Sequence, residues 1–105
     1  MIRAAFLLKG GKPYGFSVSG HAGYASEGRD IVCAAVSSAV QLTANGITEI
    51  LAQKAGVQAD GNAVTLTLGA CPNSGAEAFI QALKLHLELL REEYPQNIQI
   101  TCSEV

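Results

Sequence analysis

The sequence predicts an α+β fold, a two-layer sandwich in which a mostly antiparallel sheet carries two helices on one face. Three observations carry that expectation. Short β-rich runs alternate with glycine- and proline-containing turns, and two longer stretches repeat apolar residues every three or four positions. Their order is strand, strand, helix, strand, strand, helix, strand, which apart from an extra N-terminal strand is the split β-α-β order of ferredoxin-like folds. With 105 residues, 49% hydrophobic and 15% charged, the chain reads as one domain over residues 1–105 with a modest core and no internal repeat or linker.

Residues 2–8 (IRAAFLL) and 14–19 (YGFSVS) read as strands joined by KGGKP. From Asp30, placed as an N-cap, Val32, Val36, Ala39, Val40, Thr43, Ile47, Ile50 and Leu51 follow helical spacing, with an end near Lys54 and Gly56 as the stop. Around Asp60, Gly61 and Asn62, the runs VQAD and AVTLTL predict a hairpin. GACPNSG is loop, and a second helix spans Ala76 to Glu93, capped by Asn or Ser and ended before Pro95. Phe79, Leu83, Leu87, Leu90 and Tyr94 share one side of it. Ile80, Leu85 and Leu89 lie off that side, an arc wide enough for a self-association surface. IQITC is the last strand, with Cys102 expected in the core.

Several function classes are disfavoured. The net charge is −2, and the seven Lys and Arg residues are scattered, with no basic stripe for direct nucleic-acid binding. The opening MIRAAFLLKGG has too short an apolar run for a secretory signal, and no segment reads as long enough to cross a membrane. Three cysteines at 33, 71 and 102 do not make a disulfide framework, so a cytoplasmic location is expected. No C-x-x-C or H-x-x-x-H pair is present, so neither metal nor cofactor is expected.

Chemistry concentrates in GHAGYASEGRDIVCAAVSSAV, residues 20–40. Cys33 falls in the first helical turn, where unpaired N–H groups and the helix dipole favour thiolate over thiol. A capping Asp30 opposes that effect, which leaves His21 to supply positive charge. His21 ends the second strand, and the loop of residues 22–29 must double back to start the helix, so imidazole and sulfur can come within hydrogen-bonding reach. A thiolate beside an imidazole suits nucleophilic attack on a carbonyl, with the helix-start N–H groups, that of Cys33 included, as oxyanion donors. Ala22, Gly23, Tyr24, Ala25 and Gly28 compose a small-residue lid over substrate. Ser37, one turn below Cys33, can orient a partner or bond back to the backbone. The residues alone leave open that Cys33 is apolar filler and His21 a surface residue. His86 among leucines reads as packed or interfacial, Cys71 as a minor candidate, and Tyr24 equally as loop filler.

The stretch SGHAGYASEGRDIVCAAVSSAV, together with GNAVTLTL and the leucine-rich second helix, resembles the bacterial ribosomal-processing cysteine protease (Prp) family over nearly the whole chain. The resemblance implies a cytoplasmic endopeptidase, a homodimer, whose substrate is the N-terminal segment of large-subunit ribosomal protein twenty-seven. It makes His21 and Cys33 the dyad, with Gly20, Asp30 and Ser37 as supporting positions. The competing reading is a non-catalytic, ribosome-associated assembly module with a structural Cys33.

Overall fold

A computed structural model describes residues 1–26, 28–70 and 72–105. Strands β1 (Ile2–Lys9) and β2 (Lys12–Ser19) form a hairpin followed by α1 (Ile31–Asn45). A second hairpin of β3 (Ala55–Asp60) and β4 (Ala63–Leu68) leads to α2 (Ser74–Glu93) and β5 (Ile98–Glu104). The sheet order is β3-β4-β2-β1-β5; only the β1–β5 pairing is parallel, so the sheet is mostly antiparallel as expected. Without β1 the order would be the ferredoxin-like one. The extra strand is therefore inserted between β2 and β5 rather than added at an edge, because a tight turn at Gly10 and Gly11 pairs β1 directly with β2.

Strand alternation sends Ile2, Ala4, Phe6, Phe16, Val18, Leu66 and Ile98 to the helix-covered face. The register sets Phe6 opposite Phe16 and Phe16 opposite Leu66, and the two rings lie 6.4 Å apart. From α1 the core takes Val32, Val36 and Val40, and from α2 it takes Ala76, Ile80, Leu83 and Leu87. Each large side chain buried this way contributes roughly 1.5–3 kcal/mol. The opposite sheet face is polar, where the Ser17 and Thr65 hydroxyls bond across strands at 3.0 Å.

Four expectations are corrected. Regular α-helix ends at Asn45, and one π-helical turn, Gly46–Ile50, follows. The chain then leaves through Ala52, which has a φ of 52°, while Gly56, expected as the stop, lies within β3. Ile80, expected off the packed side of α2, is core, whereas Leu85 and Leu89 are exposed as expected. Cys102 is exposed because burial along β5 runs out after Ile98 and the half-buried Ile100, leaving the C-terminal half of the strand uncovered. Finally, the twenty residues Ile31–Ile50 hold an eighteen-residue stretch with a mean hydropathy of 1.4, long and apolar enough by length and composition to span a membrane. Their apolarity has a local explanation, since Val32, Val36, Val40 and Ile47 pack against the sheet.

Helix α2 begins with the Asn73 side chain accepting from the Gly75 N–H at 2.6 Å. It ends at Tyr94, whose N–H donates to the Leu90 carbonyl, with Pro95 next. That exit matters for the site, because the short turn from Tyr94 to β5 is where the loop after β2 docks.

Candidate active site

Asp30 has extended geometry (φ −85°, ψ 102°) and caps α1. Its Oδ1 accepts from the N–H groups of Val32 and Cys33, each at 3.0 Å. Its Oδ2 accepts from Tyr24 at 3.0 Å and Ala25 at 3.3 Å, so one carboxylate ties the start of α1 to the preceding loop. These bonds, that from Cys33 first, hold the Asp30 carboxyl below its ordinary value against an opposing desolvation effect, with Ala25, Tyr24 and Val32 adding to the lowering.

The loop is fixed from its other end by Ala22, which is 2% exposed. The Ala22 N–H donates to Cys33 Sγ at 3.1 Å, and its carbonyl accepts from Asn97 Nδ2 at 2.9 Å. Asn97 is itself held, its carbonyl accepting from the Ile2 N–H and its N–H donating to the Tyr94 carbonyl. Tyr24 packs edge-on against Tyr94, with ring centroids 5.3 Å apart. Gly20 lets the chain turn at the head of the loop. Its φ is +90°, and a Cβ there would stand 2.5 Å from the Met1 carbonyl oxygen, a space that admits only glycine.

His21 is exposed, and its Nε2 lies 2.8 Å from Asn62 Nδ2. Among the described residues no hydrogen bond joins the imidazole to Cys33; the sulfur is met by the Ala22 N–H instead. The two side chains nevertheless share a cavity of about 410 Å³, lined by His21, Gly23, Ala25, Gly28, Asp30, Cys33, Ala34 and Ser37. A narrower pocket of about 110 Å³ opens on the other side of Cys33, walled by Val18, Val36, Val40 and Val64 and rimmed by Gly20, Ser37 and Asn62. Cavities of about 490 and 510 Å³ occur elsewhere, so chemistry rather than size singles out the space at Cys33.

The structure thus gathers His21, Cys33, Asp30, Ser37 and the lid residues Gly23, Ala25 and Gly28 around one cavity, with Gly20 on the adjoining pocket. Ala22 is buried behind the sulfur, and Tyr24 is turned toward Tyr94. Glu27, within the lid segment, and Cys71 lie outside the described residues. The expectation that the Cys33 N–H serves an oxyanion is corrected, since the Asp30 carboxylate already occupies it. Asp30 bonds backbone rather than His21. Sequence reasoning missed Asn62 and Asn97. The Asp60-Gly61-Asn62 turn signalled a hairpin but not where its tip lands, and nothing local marks Asn97. Among the described residues no cluster of His, Cys, Asp and Glu could hold a metal ion.

Comparison with known proteins finds relatives of the same fold. A protein of Staphylococcus aureus (strain Mu50 / ATCC 700699) named ribosomal processing cysteine protease Prp is 27% identical over 92 residues, spanning 86% of this chain and 87% of its own length. The crystal structure of an essential ribosomal processing protease Prp from S. aureus, in complex with a covalently linked product peptide, matches with a TM-score of 0.92. It is 25% identical, and the match covers 98% of this chain and 100% of that one. A crystal structure from Streptococcus mutans matches at a TM-score of 0.83 and 26% identity, covering 100% of this chain and 96% of the other. The family model described as cysteine protease Prp matches residues 1–99, and the chain accordingly belongs to the cysteine protease Prp family.

Proposed function

We propose that the protein is an endopeptidase that removes the short N-terminal extension of large-subunit ribosomal protein twenty-seven during ribosome maturation, with Cys33 as nucleophile and His21 as its base. The observation that carries the reading is that His21 and Cys33 line one open cavity, with the sulfur anchored by a backbone N–H. In support, the S. aureus relative is held with a covalently linked product peptide.

The Cys33 thiol passes its proton to the imidazole, and the sulfur attacks the scissile carbonyl carbon. As the C–S bond forms, the carbonyl π electrons move to oxygen. Collapse of that intermediate breaks the C–N bond, and the amine leaves with the proton carried by His21. Water then gives a proton to His21 and attacks the thioester, and the C–S bond breaks as the departing sulfur takes the proton back from His21, which restores the resting enzyme. The base–nucleophile contact in such sites often tightens only with substrate bound, which fits an imidazole resting on Asn62. The Ala22 N–H, 3.1 Å from Sγ, is a backbone donor within reach of an oxyanion formed on the carbon bonded to that sulfur.

Asp30 acts by holding the loop to the helix start, and Ser37 faces both cavities beside the sulfur. Gly23, Tyr24, Ala25 and Gly28 form the segment that covers a bound peptide, with Ala22 as its buried anchor. A homodimer is supported by exposed Leu42, Leu85 and Leu89, which are 70%, 58% and 52% exposed on α1 and α2. A ribosomal substrate places the work in the cytoplasm.

The test is mass spectrometry of ribosomes from cells whose only copy is wild type or Cys33→Ala. The ribosomal protein is expected to be shortened with wild type and to keep its extension with the variant. Equal processing in both would refute the proposal.

A further inference from the structure

We infer that Asn62 is a positioning residue for His21: it holds Nε2 of the imidazole and leaves Nδ1 as the nitrogen that exchanges a proton with Cys33. This rests on the peptidase reading above and concerns how its base is oriented. The carrying observation is the 2.8 Å contact between Asn62 Nδ2 and His21 Nε2, made across 41 residues of sequence. Asp30 and Ser37, the positions the sequence offered for this role, do not fill it. Both Asp30 oxygens are taken by backbone N–H groups, and among the described residues the ring's hydrogen-bond partner is Asn62.

Asn62 is placed by backbone. Asp60 pairs with Ala63, so Gly61 and Asn62 form a two-residue turn. A positive φ at Gly61, 60°, but not at Asn62 fits the type II′ turn that closes tight hairpins. The same residue borders the narrow pocket beside Cys33, so the hairpin tip reaches both the base and the surroundings of the nucleophile.

The chemistry requires such a partner. For Nδ1 to accept the Cys33 proton, the neutral ring must carry its own proton on Nε2, and that N–H needs an acceptor. A primary amide supplies one. The amide nitrogen and oxygen exchange places by a half rotation about the terminal bond, and the inference requires the orientation with Oδ1 toward the ring, where it accepts from Nε2–H in both the neutral base and the imidazolium. Being uncharged, it fixes the ring without strongly favouring the charged form. The other ionisable groups lining the ring's cavity are Cys33 and Asp30, and Asp60 begins the hairpin turn that carries Asn62.

The experiment measures kcat, KM and the pH profile of cleavage of a junction peptide by wild type, Asn62→Ala and Asn62→Asp. It also records the imidazole tautomer of His21 by long-range proton–nitrogen NMR without substrate, with His86 as internal reference. Asn62→Ala is expected to lower kcat by roughly tenfold or more, part of the 10²–10⁴ that acid–base catalysis supplies, with KM within about twofold. Asn62→Asp, which keeps the acceptor oxygen and adds a charge, is expected to recover rate and move the acid limb of the profile, where the base is lost by protonation, upward. A profile and kcat matching wild type in both variants would overturn the inference. If Asn62→Ala does not fold, Asn62→Asp decides, and an unmoved acid limb counts against it. If wild type cleaves no peptide, the peptidase reading fails on its own account and the NMR arm decides: a neutral His21 protonated on Nε2 in wild type and mixed in Asn62→Ala supports the role of Asn62, and protonation on Nδ1 overturns it.

Discussion

The Ala22 N–H points at Cys33 Sγ from 3.1 Å, and the Asn97 side chain holds the same residue by its carbonyl at 2.9 Å. The residue after His21 is thereby clamped between the nucleophile and the turn that leads into β5. Asn97→Ala leaves a buried carbonyl without its partner, a loss of about 1–3 kcal/mol. Thermal unfolding should show this as a drop of roughly 4–8 °C for each kcal/mol. Peptide cleavage at a temperature where the variant is folded should fall several-fold, because the donor beside the sulfur loses its support. Unchanged melting and cleavage would show that the clamp is idle.

Asp30 makes acid stability informative. Its carboxyl is held below the ordinary value of 3.8 in the folded protein, while the unfolded chain titrates at that ordinary value. The stabilisation is therefore fully present above the unfolded value and is lost as pH falls through the folded one. Asp30→Asn keeps one oxygen for the helix start but offers no second acceptor to Tyr24 and Ala25. Melting temperatures of wild type should converge toward those of Asp30→Asn as the pH falls below about 4. A constant gap between the two across that range would remove Asp30 as the link between loop and helix.

Gly20→Ala puts a methyl group against the Met1 carbonyl oxygen in a backbone conformation with φ +90°. Such positions cost about 1–3 kcal/mol for a residue with a Cβ. The substitution should lower the melting temperature and, since Gly20 directly precedes His21, reduce cleavage more than stability alone explains. Wild-type behaviour in both assays would mean that the turn has room to move.

Ala52 occupies left-handed backbone with a φ of 52° where the chain leaves the π-helical turn. Ala52→Gly removes that strain, and against the entropy glycine brings to the unfolded chain the net gain should be about 1 kcal/mol or less. Chemical denaturation should show a higher midpoint with an unchanged slope. A lower midpoint would show that Ala52 is not strained.

Much of this molecule was legible in its sequence, for identifiable reasons. Alternation in Ile2, Ala4 and Phe6 and in Leu66 and Leu68 gave strands with one buried face, and Asp30 before an apolar helical run marked the start of α1. What stayed hidden depends on contacts far apart in the chain. The insertion of β1 between β2 and β5 follows from a pairing choice that no local residue encodes. The end of α1 was missed because an alanine, not a glycine, takes the left-handed turn. At the site, Asp30 marked a cap, but that its second oxygen would also bind the Tyr24 and Ala25 N–H groups depends on how the loop folds back. Asn62 and Asn97 act across separations of 41 and 75 residues, beyond any spacing rule.

The most direct measurement is intact-mass spectrometry of the protein quenched during turnover of a junction peptide. Wild type should carry an added mass equal to the acyl fragment, mapped to Cys33, and His21→Ala should accumulate it far more slowly. Peptide cleavage with no adduct on Cys33, or an undiminished rate in Cys33→Ala, would contradict a sulfur nucleophile at the head of α1.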